Sequence, residues 1–207
     1  MKNELIDRIL SLEYAMFQQV PNRNGRAACQ DNWATFRIMR SSQFSAWTPE
    51  MCRLYLTCLQ AAWSQGRNLV QEKYGWMMTD TFPEEFAALQ SALPPVEPER
   101  QRLVSEILDI QLPMTACLQQ KYPLATRRGR PLYPDPTHPR TASVATYLRG
   151  ELYTYSLQLL QAYLAFLQLL QARQRSLPRE ILEYTVRQYG FADLDAFEHH
   201  LRQVRPT

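Results

Sequence analysis

The chain has 207 residues, of which 45% are hydrophobic and 21% charged, with a formal net charge of +3. That composition excludes a disordered tail and a coiled-coil rod, and so small a charge excludes a nucleic-acid-binding footprint. The 6 glycines argue against a turn-dense β-sandwich, and neither a G-x-x-x-x-G-K-[ST] loop nor a G-x-G-x-x-G turn is present to cradle a phosphate.

Helical periodicity dominates from the start. Over 3–20, Leu5, Ile9, Leu12 and Met16 recur at helical spacing, with Ile6, Leu10, Phe17 and Val20 beside them. Pro21-Asn22-Arg23-Asn24-Gly25 breaks this helix. Asp31 is read as the cap of a second helix reaching about Phe44. Thr48-Pro49-Glu50 opens a third, with a capping hydroxyl, a proline at the first helical position and then an acid. It runs to Ser64, and Gly66 sits where a left-handed C-terminal residue belongs.

A fourth helix is expected over about 67–79, and Pro83-Glu84-Glu85 opens a short fifth. Pro94 to Pro98 is a rigid connector. Helix six spans roughly 99–121, kinked or split at Pro113. Residues 122–142 carry five prolines and four arginines and read as one long irregular loop, whose 127–140 part is a candidate lid. The longest helix is expected over 143–174, with Ser143 near its start. Ser176-Leu177-Pro178 starts another that ends near Gly190, and a short one covers about 193–203. The expectation is an all-α, single-domain bundle over 1–207 with about 8–9 helices.

The four cysteines, Cys29, Cys52, Cys58 and Cys117, form no C-x-x-C pair, so free thiols in a reducing compartment are expected. Early charges at Glu4, Asp7 and Arg8 argue against a signal peptide. The greasiest region, Leu157 to Leu170, is interrupted by Gln158, Gln161 and Gln168 and is too short to span a bilayer. These features predict a cytoplasmic protein with neither membrane nor nucleic acid as partner.

Three carboxylates stand where core residues belong. Glu13 lies in the stripe Ile6, Leu10, Glu13, Phe17; Glu72 lies on one face with Leu69 and Trp76; Glu151 lies in the row Tyr147, Glu151, Tyr155. A buried carboxylate must be paired, solvated or protonated. Arg26, Arg40, Arg67 and Arg149 are available partners, with Gln30, Asn68 and Tyr155 as nearby polar groups. Two readings follow. In one, the charges are helix-to-helix pairs that fix packing. In the other, Arg26, Arg40, Arg67 and Arg149 clamp a small anion, Gln30, Asn68 and Tyr155 orient it, and Glu13, Glu72 and Glu151 act as acid–base groups or as an all-oxygen Mg²⁺ or Mn²⁺ set. Gly150, inside a helix, marks the close approach of another backbone or of a ligand. Of the histidines His138, His199 and His200, none completes a Glu-x-x-His pair with a candidate acid.

Several stretches resemble a bacterial family known as domain of unknown function 4125. They are Glu13 through Phe17, Arg26 through Gln30, Phe36 through Trp47, Gly66 through Leu69, Glu72 through Tyr74, Met77-Met78, Tyr122-Pro123, and Thr146 through Ser156. The family pattern has Trp where this chain has Tyr14, and a second Trp near Met114. The resemblance implies one helical domain and no particular activity, metal or cofactor. Relatives joined to a nucleotidyltransferase-like domain suggest modification of a nucleotide or other small molecule. They also suggest an alternative, a non-enzymatic interaction module with such a protein as partner.

Overall fold

The computed structural model describes residues 1–22 and 25–204. Arg23 and Asn24, in the predicted break after the first helix, lie outside the described residues. Within them the chain forms eleven α-helices and no strand. They are α1 (Lys2–Gln18), α2 (Trp33–Ala46), α3 (Pro49–Ser64), α4 (Leu69–Thr81), α5 (Pro83–Leu89), α6 (Pro98–Lys121), α7 (Pro123–Thr126), α8 (Val144–Leu152), α9 (Leu157–Ala172), α10 (Leu177–Gln188) and α11 (Leu194–Gln203), with short 3-10 turns at Ala28–Asp31 and Gln90–Ala92.

The helix starts follow capping chemistry. Thr48 accepts from the Met51 amide at 3.2 Å, with Pro49 in the first turn. Ser143, Ser156 and Asp193 cap α8, α9 and α11 in the same way. At α2 the cap is Asn32, which accepts from Thr35 N at 3.0 Å. Asp31 instead closes the preceding 3-10 turn and pairs with Arg26. Gly66 adopts φ 69°, as the left-handed end of α3 requires.

One expected boundary changes. The single helix expected over 143–174 is two. Thr154 turns its amide (3.0 Å) and its hydroxyl (2.7 Å) onto the Glu151 carbonyl, and Ser156 caps the next helix. Local Ser and Thr hydrogen bonds thus replace the helical ladder for one turn. In contrast, α6 is not split at Pro113, which costs it only the bond to the Asp109 carbonyl. The loop after α6 holds the added helix α7, and its Pro131 and Leu132 carbonyls accept the Val144 and Ala145 amides at the start of α8.

The main core unites α1, α2, α3, α4, α6, α8, α9 and the start of α10. Its centre is aromatic: Phe44, Trp47, Tyr55, Tyr155 and Tyr163 are buried together, with Trp47 edge-on to Tyr155 and Tyr163 at 5.9 and 5.5 Å. A smaller cluster of Leu118, Tyr122, Val186 and Leu194 joins the end of α6 to α10 and α11. The closest helix partners are α4 with α8, α1 with α3, α2 with α10, and α6 with α9. Among the described residues no helix is long and apolar enough to cross a membrane.

Candidate functional site

Beside the aromatic centre lies a buried charged network built from α1, α2, α3, α4 and α8. Glu13, Arg40, Lys73 and Glu151 are each less than a tenth exposed. Arg40 grips Glu13 with two prongs, Nε to Oε2 at 2.8 Å and Nη2 to Oε1 at 2.5 Å. The same Nη2 donates to Glu151 Oε1 at 2.9 Å, and Nη1 donates to Gln43 Oε1 at 2.6 Å. The Tyr55 hydroxyl donates to Glu13 and the Tyr155 hydroxyl to Glu151, both at 2.8 Å. Lys73 Nζ stands 3.9 Å from Glu151 Oε2 and donates to the Tyr147 hydroxyl at 2.9 Å.

Two cations therefore face two carboxylates, and the network is neutral as a whole. Burial alone would raise the Glu151 carboxyl, but Arg40 and Lys73 outweigh it and hold the pKa down at about 2. Burial works against the charged forms of Arg40 and Lys73 too, yet both stay above their ordinary values. For Arg40 the counterweight is Glu13 and Glu151; for Lys73 it is Tyr147 and Glu151. The Tyr55 and Tyr155 hydroxyls, raised by burial and then by the neighbouring carboxylates, remain protonated donors.

The other predicted site residues go elsewhere. Glu72 is closed by Arg67, whose Nε and Nη2 donate at 2.9 and 2.7 Å. Arg26 pairs with Asp31 at 2.8 Å and reaches Gln18. Gln30 is buried but ties backbone, donating to the Phe17 and Val20 carbonyls at 2.8 and 3.1 Å. Asn68 caps α4 through Gln71 N at 3.0 Å and donates to the Met16 carbonyl at 2.8 Å. Asn68→Ala is expected to cost about 1–2 kcal/mol for the cap and this tie, read as a lower urea midpoint with an unchanged slope. The three glutamates do not form a shared oxygen cage, because Arg40 stands between Glu13 and Glu151 and Arg67 occupies Glu72. Among the described residues no group of three or more His, Cys, Asp or Glu side chains is placed to hold a metal.

Arg149 points away from the buried network. It donates through Nη2 to Asp80, which also accepts from Thr146 Oγ1 at 2.5 Å. This pair lines a groove of about 950 Å³ between α4, α5, the 93–96 connector and the end of α8. Trp76, Phe86 and Tyr153 form its aromatic wall, with the Trp76 ring 5.2 Å from Tyr153 and 5.8 Å from Phe86.

Sequence reasoning missed Gln43, Tyr55, Lys73 and Asp80 as members of these two sites. Two of them left a signal: Gln43 lies three residues after Arg40, and Lys73 falls in the row Leu69, Lys73, Met77, all buried.

The family model described as protein of unknown function (DUF4125) matches residues 3–199. The chain belongs to that family. Neither a curated protein nor a solved structure matches it. In this DUF4125 chain, the stretches that carried the resemblance hold Glu13, Arg40, Lys73 and Glu151, the four charges of the buried network.

Proposed function

We propose that the protein binds a small planar anion, an aromatic or heteroaromatic ring bearing a carboxylate or phosphate, in the groove between α4, α5 and α8. Arg149 carries this reading. Of the four arginines expected to hold an anion, Arg40 is buried with its donors engaged by Glu13, Glu151 and Gln43. Arg26 and Arg67 are partly exposed and paired with Asp31 and Glu72. Arg149 lines a groove and commits one nitrogen to Asp80, while its Nε and Nη1 donate to no protein atom among the described residues. A guanidinium in that position offers a second anion a charge-assisted fork. The rings of Trp76 and Tyr153 supply faces for stacking.

In this reading Glu13 and Glu151 support the site and do not touch the ligand. Glu151, held ionised, does not suit a general acid. It anchors the inner face of α8, and Arg149 extends from the same helix. Tyr155 and Arg40 serve this anchoring, and Gln30 and Asn68 position α1 and α4.

The test is a thermal-shift screen of aromatic carboxylates, nucleoside monophosphates and inorganic phosphate, followed by calorimetry. A ligand at about 100 times its Kd adds about 2.7 kcal/mol, worth roughly 5–10 °C in a chain of this size. Arg149→Gln is expected to weaken binding about tenfold or more, whereas Arg67→Gln leaves it unchanged. Equal binding by the Arg149→Gln protein would remove the basis of the assignment.

A further inference from the structure

A second groove, of about 400 Å³, lies between the C-terminal half of α6 and the segment joining α9 to α10. Its volume is at the small-ligand end of the ~300–1,000 Å³ range of binding pockets. One wall is apolar, made by Ile110, Pro113, Met114 and Leu118. Lys121, at the end of the same helix, and Arg175 and Arg179, from the facing segment, also line it. Arg175 commits Nε to Glu180 at 2.8 Å, and Arg179 lies 3.7 Å from Glu183. Lys121 forms an ion pair with no carboxylate among the described residues and rests over the Tyr122 ring, 5.3 Å from its centroid.

Two irregularities meet here. Tyr122 lines the groove, is 2% exposed, and its hydroxyl has no hydrogen-bond partner among the described residues. Such a group normally finds one when buried. Pro113 leaves the Asp109 carbonyl without its helical donor on the same wall. Gln174, also lining the groove, holds φ at 54° as the left-handed end of α9, closed by the Arg175 amide on the Leu170 carbonyl at 2.8 Å. A carboxylate in the groove would give the Tyr122 hydroxyl the acceptor it lacks.

We propose that this groove binds an amphipathic carboxylate, a medium-length aliphatic chain with one acid head. The chain lies against Ile110, Pro113, Met114 and Leu118, where burial of each methylene contributes about 0.8 kcal/mol. The head sits among Lys121, Arg175 and Arg179, whose charge a neutral alcohol could not use. The site is independent of the one at Arg149: the Arg149 groove touches α6 at Gln101, about two turns before Asp109.

Cys117 is exposed and lines the groove, so its thiol reports on occupancy; Cys29, exposed elsewhere, is the internal control. Alkylation by iodoacetamide is followed for each cysteine by peptide mass spectrometry, with sub-micellar decanoate or decanol present. Decanoate is expected to slow alkylation of Cys117 about tenfold at saturation while Cys29 is unaffected, with decanol much less effective. Calorimetry with decanoate is expected to show about tenfold weaker binding by the Lys121→Gln/Arg179→Gln protein and unchanged binding by Arg149→Gln. Because Arg149→Gln tests the first groove and decanoate the second, either assignment can fail alone. Unprotected Cys117, equal protection by decanol, or undiminished binding by the double variant would overturn the proposal.

Discussion

Arg40→Met is expected to destabilise the protein by about 3–5 kcal/mol, because it strands two buried carboxylates. At about 2–4 °C per kcal/mol for a chain of this length, the melting temperature falls by roughly 6–20 °C. The guanidinium supplies three of the hydrogen bonds that Glu13 and Glu151 accept. The cost therefore comes from the carboxylates left behind, and neutralising them relieves it. The Glu13→Gln/Arg40→Met/Lys73→Met/Glu151→Gln protein, in which both cations and both carboxylates are gone, is expected to recover most of the loss, since a buried ion network replaced as a whole is often neutral in free energy.

The pH dependence separates this from simple loss of packing. Glu151 in the folded protein titrates at about 2, below its ordinary 4.5. A lowered folded-state pKa contributes stability above the unfolded value and loses it as pH falls through the folded one. The parent protein thus weakens between about pH 5 and 2. Without Arg40 only Lys73 holds that carboxyl down, so its pKa rises toward the ordinary value and the gap between parent and Arg40→Met narrows over the same window. Leu59→Ala, an apolar core truncation at a fully buried position, is expected to cost about 2–5 kcal/mol with no such narrowing. Urea midpoints at pH 7, 5, 4 and 3 decide the matter, and a constant gap for Arg40→Met would dismiss the electrostatic account.

Gly150→Val is expected to cost about 3 kcal/mol, the upper end of overpacking penalties. A Cβ at 150 would meet the Lys73 carbonyl oxygen at 2.8 Å and Met77 Cγ at 2.9 Å. The nearer of these is backbone and cannot rotate aside, so α8 must retreat from α4. Gly150→Ala gains about 1 kcal/mol of helix propensity and is expected to remain net destabilising by a smaller amount. The retreat would also stretch the Lys73–Tyr147 and Thr146–Asp80 hydrogen bonds, at 2.9 and 2.5 Å. Ligand binding at Arg149 should fall with stability. Equal denaturation midpoints for parent and Gly150→Val would show that the helices have room to spare.

The helices were legible because their signals are local. Thr48-Pro49-Glu50, Ser176-Leu177-Pro178 and the left-handed Gly66 each act within one turn, and each marks an observed boundary. The errors are local too. Asn32 displaced Asp31 as a cap by one position, and Thr154 with Ser156 interrupted a stripe whose apolar pattern runs on without a break. Periodicity records burial, and burial continues across a turn that keeps both helices on the same core.

That Glu13 and Glu151 are buried was written in their stripes, since an acid three or four residues from apolar neighbours shares their face. Which cation meets them was not. Glu13 and Arg40 are 27 residues apart, and Arg40 and Glu151 are 111, so only the packing of α1, α2 and α8 decides that one guanidinium serves both. The same packing gave Glu72 to its near neighbour Arg67, turned Arg149 outward to Asp80, and brought Lys73 inward. A single chain specifies the face on which a charge lies; the partner across that face is fixed by helix-on-helix geometry, which no local spacing encodes.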